Sequence, residues 1–385
     1  MKIFNPQITS KLPAVGESIF ATMTKMATDY NAINLSQGFP DFNCAEELLE
    51  RVAYYQSKGF NQYAPMPGVL NLRNKISVKT EKLYGRKYNP DTEIVVTAGG
   101  TQALYTAITA IVSPGDEVII FEPAYDSYVP AVKVNGGIPV FISLNKNDYS
   151  INWDIVEKSI NSKTRLIIIN SPHNPSGSIL SKDNILTLEK LVRGKNIFLI
   201  SDEVYEHIIF DGNTHHSFCT SSELSERTFV ISSFGKTYHT TGWKVGYCVA
   251  PEKMMAEFKK VHQFIVFAVN TPIQHAYADI LDNENMYLGL SKFYQAKRDL
   301  MISLLRNSRF KLKPALGTYF QLLDYSAISD LDDRAFSEFL TKEKGVAVIP
   351  LSPFYANGSR DKMIRICFAK KDEVLNNAAK KLCDV

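Results

Sequence analysis

Four loops in this sequence carry residues whose types could do chemistry, and each follows a short apolar run. After EIVVT (93–97) comes Ala98-Gly99-Gly100-Thr101-Gln102. Glycines that open a helix leave backbone N–H groups unpaired, and the helix dipole favours an anion there, although turn chemistry alone would also call for them. After RLIIIN (165–170) comes Ser171-Pro172-His173-Asn174-Pro175-Ser176-Gly177. Two prolines would lock that loop and hold Asn174 as a fixed hydrogen-bonding group, or simply make a rigid turn. After IFLIS (197–201) comes Asp202-Glu203-Val204-Tyr205. An acid at a strand end beside an apolar core needs a cationic partner or its pKa rises, unless it merely caps a helix. After TFVIS (228–232) comes Ser233-Phe234-Gly235-Lys236-Thr237, and then Gly242-Trp243-Lys244-Val245-Gly246.

The elements that must position these loops alternate along the chain. EVIIF (117–121), IPVFISL (138–144) and VGYCVA (245–250) extend the series of apolar runs. Between runs lie helical stretches: TQALYTAITAIV, with Leu104, Ile108 and Ile111 at helical spacing, and DNILTLEKLVRGK (183–195), with Ile185, Leu188, Leu191 and Val192 on one face. Strands apolar throughout, separated by amphipathic helices, predict an α/β fold with a mostly parallel sheet covered on both faces. Ligands in such sheets sit beyond the carboxyl ends of the strands, where all four loops fall. The tail changes pattern. A long polar helix (286–307) precedes TYFQLLDYS (318–326), VAVIP (346–350), MIRICFA (363–369) and a closing helix (371–382), an α+β arrangement. We place an N-terminal arm with part of a small domain at 1–45, a large domain at 46–284 and a small C-terminal domain at 285–385, the first forty-odd residues packing with the last.

Composition narrows the function classes. The 385 residues suit two domains or one large one, and 45% hydrophobic with 22% charged residues is an ordinary globular balance. Lys+Arg 43 against Asp+Glu 40 leaves a net charge of +3, too small for an electrostatic nucleic-acid binder. No apolar run approaches the ~18 residues of a membrane helix. Asn5, Pro6 and Lys11 interrupt the N-terminus, so no secretory signal is expected. Cys44, Cys219, Cys248, Cys367 and Cys383 form no CxxC pair, which suits reduced thiols and a cytoplasmic location. His215-His216, with His207 nearby, is the one candidate metal cluster; a polar surface loop around Asp211-Gly212-Asn213 is the preferred reading, and no metal is expected.

Gly235-Lys236-Thr237 invites a phosphate-loop reading, but Val230 stands where that motif needs its first glycine, and no GxGxxG follows a strand. What unites the loops is a lysine, an acid and a Gly-rich anion site at three strand ends. A Schiff-base lysine, an acid facing a pyridine nitrogen and a phosphate cup are what pyridoxal phosphate requires. At this point the chain resembles a class I aminotransferase of pyridoxal-phosphate fold type I, in the methionine/kynurenine (glutamine–phenylpyruvate) subgroup. NLSQGFPDF (34–42), NQYAP (61–65), VTAGGTQAL (96–104), SPHNPSG (171–177), SDEVYEH (201–207), SSFGKTYHTTGWKVGY (232–247) and IRICFA (364–369) carry the resemblance across nearly the whole length.

The resemblance implies roles, motif by motif. Lys236 in SFGKT is similar to the Schiff-base lysine and proton shuttle, and Asp202 to the partner of the pyridine N1–H. Tyr205 and Asn174 match residues that hydrogen-bond the cofactor's phenolic oxygen, and Tyr125 the ring stacked on its face. The phosphate would meet amides around Gly99, Gly100 and Thr101, with Ser233 and Lys244; many relatives have Arg at the last position, a bidentate fork in place of a point charge. Arg365 and the Gly38 amide would hold the substrate α-carboxylate, with Asn174 beside them. Tyr63 matches a tyrosine that reaches the neighbouring subunit's phosphate, which implies a homodimer with shared active sites.

The implied reaction is ping-pong transfer of an amino group from an amino acid to a 2-oxo acid. No second arginine stands in a motif for a side-chain carboxylate, while Phe20, Phe39 and Phe267 fall near the expected pocket. Methionine and large aromatic donors are therefore expected over aspartate. A kynurenine/glutamine aminotransferase with cysteine-conjugate β-lyase side activity is the alternative. A decarboxylase is disfavoured by Arg365, and a cofactor-sensing regulator by the absence of a basic segment.

Overall fold

The computed structural model describes residues 8–359 and 361–385. Twelve strands are defined within them. In chain order they are β1 (Ile33–Asn34), β2 (Ile94–Thr97), β3 (Glu117–Glu122), β4 (Ile138–Ser143), β5 (Thr164–Asn170) and β6 (Phe198–Asp202). Then come β7 (Thr228–Ser233), β8 (Gly246–Val249), β9 (Phe320–Asp324), β10 (Val346–Ala347), β11 (Ile349–Pro350) and β12 (Met363–Cys367).

Seven of them form one sheet in the order β2-β8-β7-β6-β5-β3-β4. Pairing is parallel from β4 through β7, and β8 alone runs against its neighbours. The parallel part demands cover on both faces, and period-two alternation supplies it. Ile167 and Ile169 of β5 point to the face covered by helices Leu70–Tyr84, Lys182–Val192 and Thr271–Ile280. Leu166 and Ile168 point to the other face, under helices Gly99–Ile111 and Glu252–Ile265. This is the expected α/β sheet.

The tail departs from expectation in detail. VAVIP divides into β10 and β11, because β10 pairs with β1 while β11 turns to pair with β12. The long polar helix begins later than expected, at Leu290, and ends at Leu304. β11, β12 and β9 make a three-stranded antiparallel sheet. Helix Ile19–Asp29 packs against it: Met23 is buried with Leu322, Ile349, Leu351 and Phe354. Leu35 donates to the Ala347 carbonyl at 2.9 Å and accepts from the Cys367 amide at 2.8 Å. Among the described residues no helix is long and apolar enough to cross a membrane.

Candidate active site

The carboxyl ends of β2, β5, β6 and β7 open into one cavity of about 220 Å³. At β2 the chain turns through Gly99, whose φ of +78° a side chain would resist, into helix Gly99–Ile111. Lys244, itself in the left-handed region at φ +53°, sets its Nζ 3.2 Å from where a Gly99 β-carbon would stand. A β-carbon on Gly100 would meet Val204 Cγ1 at 3.0 Å. The bare backbone, the helix N-terminus and the ammonium make an anion cradle, with Thr101 and Ser233 also on its wall. The Thr101 hydroxyl lies 3.3 Å from the Tyr125 hydroxyl, which places that ring against the cavity.

Asp202 ends β6 at 3% exposure. Its Oδ2 accepts from the Tyr128 hydroxyl at 2.6 Å and its Oδ1 from the Val204 amide at 3.3 Å. Burial strips the carboxylate of water and pushes its pKa up to about 6, against the opposing pull of these hydrogen bonds. It does not cap a helix; a run of turns follows it. Beyond β5, Asn170 donates to the Asp202 carbonyl at 2.9 Å and accepts from the Asn174 amide at 2.8 Å, so the Asn174 loop is tied to the acid's strand.

Lys236 stands on the short helix Phe234–Thr237 that follows β7. Its Nζ donates to the Gly38 carbonyl at 3.1 Å and to the Tyr319 hydroxyl at 2.8 Å, and lies 5.6 Å from the Tyr205 ring centre. Desolvation brings its pKa down to about 8, with Lys244 and Arg365 pushing the same way.

Arg365 occupies the middle of β12 at 1% exposure. Its Nη1 donates to Asn174 Oδ1 at 2.7 Å and its Nη2 to the Ser36 carbonyl at 3.3 Å, while Nε has no partner. The guanidinium lies 3.9 Å from the Phe320 ring centre and 5.3 Å from those of Phe20 and Phe354. Burial pulls even this group down to about 10. Gly38 lies so close that a β-carbon on it would stand 2.8 Å from Phe320 Cζ.

The structure thus brings Phe20, Gly38, Gly99, Gly100, Thr101, Tyr125, Asn174, Asp202, Tyr205, Ser233, Lys236, Lys244 and Arg365 onto one cavity wall. Three expected residues are elsewhere. Tyr63 is 84% exposed, its ring 5.5 Å from that of Phe267, and neither borders the cavity. Phe39 faces outward, its carbonyl accepting from Lys370 Nζ at 2.9 Å. Phe267 and Phe39 are therefore withdrawn as pocket walls of this chain. The histidine reading also needs correction. Asp211, Gly212 and Asn213 are exposed, but the side chains of His207 and His215 are tucked in beside two buried carboxylates. His215 Nε2 lies 2.8 Å from Glu203 Oε2, and His207 Nε2 lies 3.6 Å from Glu206 Oε1. Among the described residues no group of ligating side chains could hold a metal ion.

Sequence reading missed Tyr128, Gln37, Thr241, Tyr319 and Phe320. Tyr128 carried a signal: it lies three residues past Tyr125 and opens the helix Tyr128–Val134. Phe320 and Tyr319 did not, because TYFQLLD looks like any strand core. Taken together, the cavity can hold a molecule with an anionic group in the cradle, an N–H or cation against Asp202 and a carbonyl carbon near Lys236. A carboxylate would fit beside Arg365.

The sequence matches the profile of the family described as Aminotransferase class I and II over residues 30–382. It is 51% identical over 380 residues to the methionine aminotransferase of Escherichia coli K12, covering 98% of each chain. It is 35% identical to a kynurenine–oxoglutarate transaminase of Dictyostelium discoideum, covering 94% of this chain and 93% of the relative. The crystal structure of Escherichia coli YbdL, described as having a methionine aminotransferase function, superposes with a TM-score of 0.97 at 50% identity over the full length of both chains. With the expected sheet, a cavity at its strand ends and these matches along the whole chain, this protein belongs to the class I and II aminotransferases.

Proposed function

We propose that this aminotransferase uses pyridoxal phosphate to move the amino group of methionine, and of other large uncharged amino acids, to a 2-oxo acid. The residues fit that cofactor on three observations. Gly99 and Gly100 leave a cradle that β-carbons would fill. Asp202 is a buried carboxylate with no salt bridge among the described residues and a pKa raised by burial, the state an N–H⁺ would relieve. Lys236 is an amine facing the cavity with its ammonium form disfavoured. Pyridoxal phosphate supplies an aldehyde that amines condense with and a ring that accepts the electron pair left at Cα.

The chain's own groups would do the rest. Lys236 would hold the aldehyde carbon and, once released, would take the α-proton of the amino acid and deliver it to the former aldehyde carbon, on the far side of the nitrogen. Asp202 would keep a proton on the ring nitrogen, and Tyr128 would hold Asp202 in place. Tyr205 and Asn174 would donate to the phenolic oxygen, and Tyr125 would pack on the ring. The cradle with Lys244, Thr101 and Ser233 would take the phosphate. Arg365, the Gly38 amide and Asn174 would orient the α-carboxylate. Tyr63, exposed here, would serve the phosphate of a second copy in a homodimer, and a cytoplasmic setting suits the free thiols.

The observation that carries the substrate choice is the wall around Arg365. Phe20, Phe320 and Phe354 surround the guanidinium, and among the described residues on the cavity wall Arg365 is the sole arginine, Lys244 being committed to the cradle. A side-chain carboxylate would enter this apolar wall unpaired, at a cost of several kcal/mol, whereas a thioether gains from burial and from contact with aromatic rings. kcat/KM for methionine should exceed that for aspartate by at least about a hundredfold with one common 2-oxo acid, a difference of ~2.7 kcal/mol. Aspartate turned over as well as methionine would refute the reading.

A further inference from the structure

Lys236 is held by a residue outside every motif described above. Tyr319 is fully buried, its hydroxyl donates to the Gly38 carbonyl at 2.5 Å, and the same oxygen accepts from Lys236 Nζ at 2.8 Å. Lys236 also donates to the Gly38 carbonyl at 3.1 Å, so lysine, tyrosine and carbonyl form a closed triangle. A neutral amine has two N–H groups and one lone pair. Here both N–H groups have acceptors on one side, Tyr319 and Gly38, and the lone pair is left for the cavity.

The backbone is bent to achieve this. Thr318, just before the tyrosine, has φ +64°, a strained conformation that a β-branched residue rarely adopts. Its amide donates to the Ile208 carbonyl at 2.9 Å, and its hydroxyl accepts from the Phe320 amide at 3.2 Å. Gly317 behind it has no room for a side chain, since a β-carbon would lie 2.8 Å from Pro172 Cβ. The Tyr319 ring is wedged edge-on against Tyr205, centres 5.1 Å apart at 87°. Burial also holds the phenol's pKa well above its ordinary value, so the hydroxyl stays protonated and keeps donating to Gly38.

We propose that Tyr319 is a positioning residue for the reaction: its hydroxyl oxygen takes one N–H of Lys236 and so turns the lysine lone pair toward the α-proton of the substrate. The proposal rests on the assignment of Lys236 as the proton-transferring base. Tyr319→Phe removes one oxygen and keeps the ring.

Two readouts follow. In the full chain freed of cofactor, the pH dependence of Lys236 labelling by an amine-reactive probe, followed by mass spectrometry, gives the amine's midpoint, expected near pH 8 in the parent. Loss of an acceptor for the ammonium should lower that midpoint by about one unit in Tyr319→Phe. In the loaded enzyme, kcat of the methionine half-reaction should fall ~10–100-fold with KM changed less than about threefold, and the effect of deuterium at Cα should grow. In a Lys236→Ala background rescued by methylamine, Tyr319→Phe should change the rate by less than about twofold, because the lysine it orients is gone.

An unchanged midpoint, or a Tyr319→Phe loss that persists in full without Lys236, overturns the proposal. If Tyr319→Phe does not fold, 3-fluorotyrosine at position 319, a weaker acceptor of the same shape, must lower the midpoint in the same direction. Failure of the wild-type chain to transaminate with pyridoxal phosphate would instead remove the functional reading, while the labelling of the cofactor-free chain would still decide the role of Tyr319.

Discussion

The two ends of the cavity are held in different ways. Gly99, Asp202 and Lys236 each follow or end a strand of one seven-stranded sheet, so continuous ladders of backbone hydrogen bonds fix their spacing. Phe320 and Arg365 stand on the paired strands β9 and β12 of the small sheet, but Phe20 and Gly38 come from the N-terminal stretch, joined to that sheet's neighbourhood by β1 and β10 of two residues each and by the two backbone bonds of Leu35. The first end can change only if the sheet is re-paired. The N-terminal part of the second, Phe20 and Gly38, hangs on a few backbone bonds and on aromatic packing, and can therefore adjust to different side chains. On the proposed function, chemistry common to all amino-acid substrates would sit on the rigid end, and choice among them on the adaptable one.

The largest effect should come from the rigid end. Lys236→Ala should lower transamination by at least ~10⁴-fold, with unchanged folding and residual cofactor binding, because the proposed function makes its amine both the attachment point and the base. Turnover within about tenfold of the parent would break the assignment. Arg365→Leu should act at the other end. It loses a buried, charge-assisted contact with the α-carboxylate, worth ~3–4 kcal/mol, so kcat/KM for methionine should drop ~10²–10³-fold. The cofactor's visible band in the absence of substrate should not move. If that band shifts as much as the kinetics, the two ends are not separable and the comparison fails.

The same division explains what could be read from the sequence. The sheet was legible because parallel strands buried on both faces are apolar throughout, and each of β2, β5, β6 and β7 is followed within a few residues by its functional group. Lys236, Asp202 and Asn174 needed only that rule and the motif resemblance to be singled out. Arg365 and Gly38 came from the resemblance alone, since nothing near 38 or 365 in the sequence announces that Leu35 will bridge β10 and β12. The reversal of β8 was invisible because GYCV is buried on both faces like its parallel neighbours. Tyr319 and Phe320 were hidden for a different reason: a tyrosine in an apolar strand has the pattern of core, and only the backbone turn at Thr318 aims it at the lysine. Phe39 and Phe267 failed as pocket walls because aromatic type says nothing about direction.

Without a salt bridge among the described residues, Asp202 puts the rigid end under electrostatic strain. The Asp202 carboxyl titrates at about 6 in the folded chain against an ordinary 3.8. Between those values the folded chain keeps a proton that the unfolded chain has released, so this group makes the cofactor-free protein less stable as pH rises through that window. Below it both states are protonated and Asp202 contributes nothing. Above it both are ionised and the full cost is present, at most about 3 kcal/mol for a shift of roughly two units. Asn at 202 does not titrate and keeps an oxygen for the Tyr128 hydroxyl. The unfolding free energy of Asp202→Asn minus that of the parent, from urea titrations of cofactor-free protein, should therefore rise between pH 4 and 6 and level off beyond. Saturating pyridoxal phosphate should remove or reverse the gain, because the ring N–H⁺ gives the carboxylate its cation. A difference that stays flat with pH would mean that Asp202 keeps its solvation in the folded chain, and that the rigid end carries no electrostatic strain at this carboxylate.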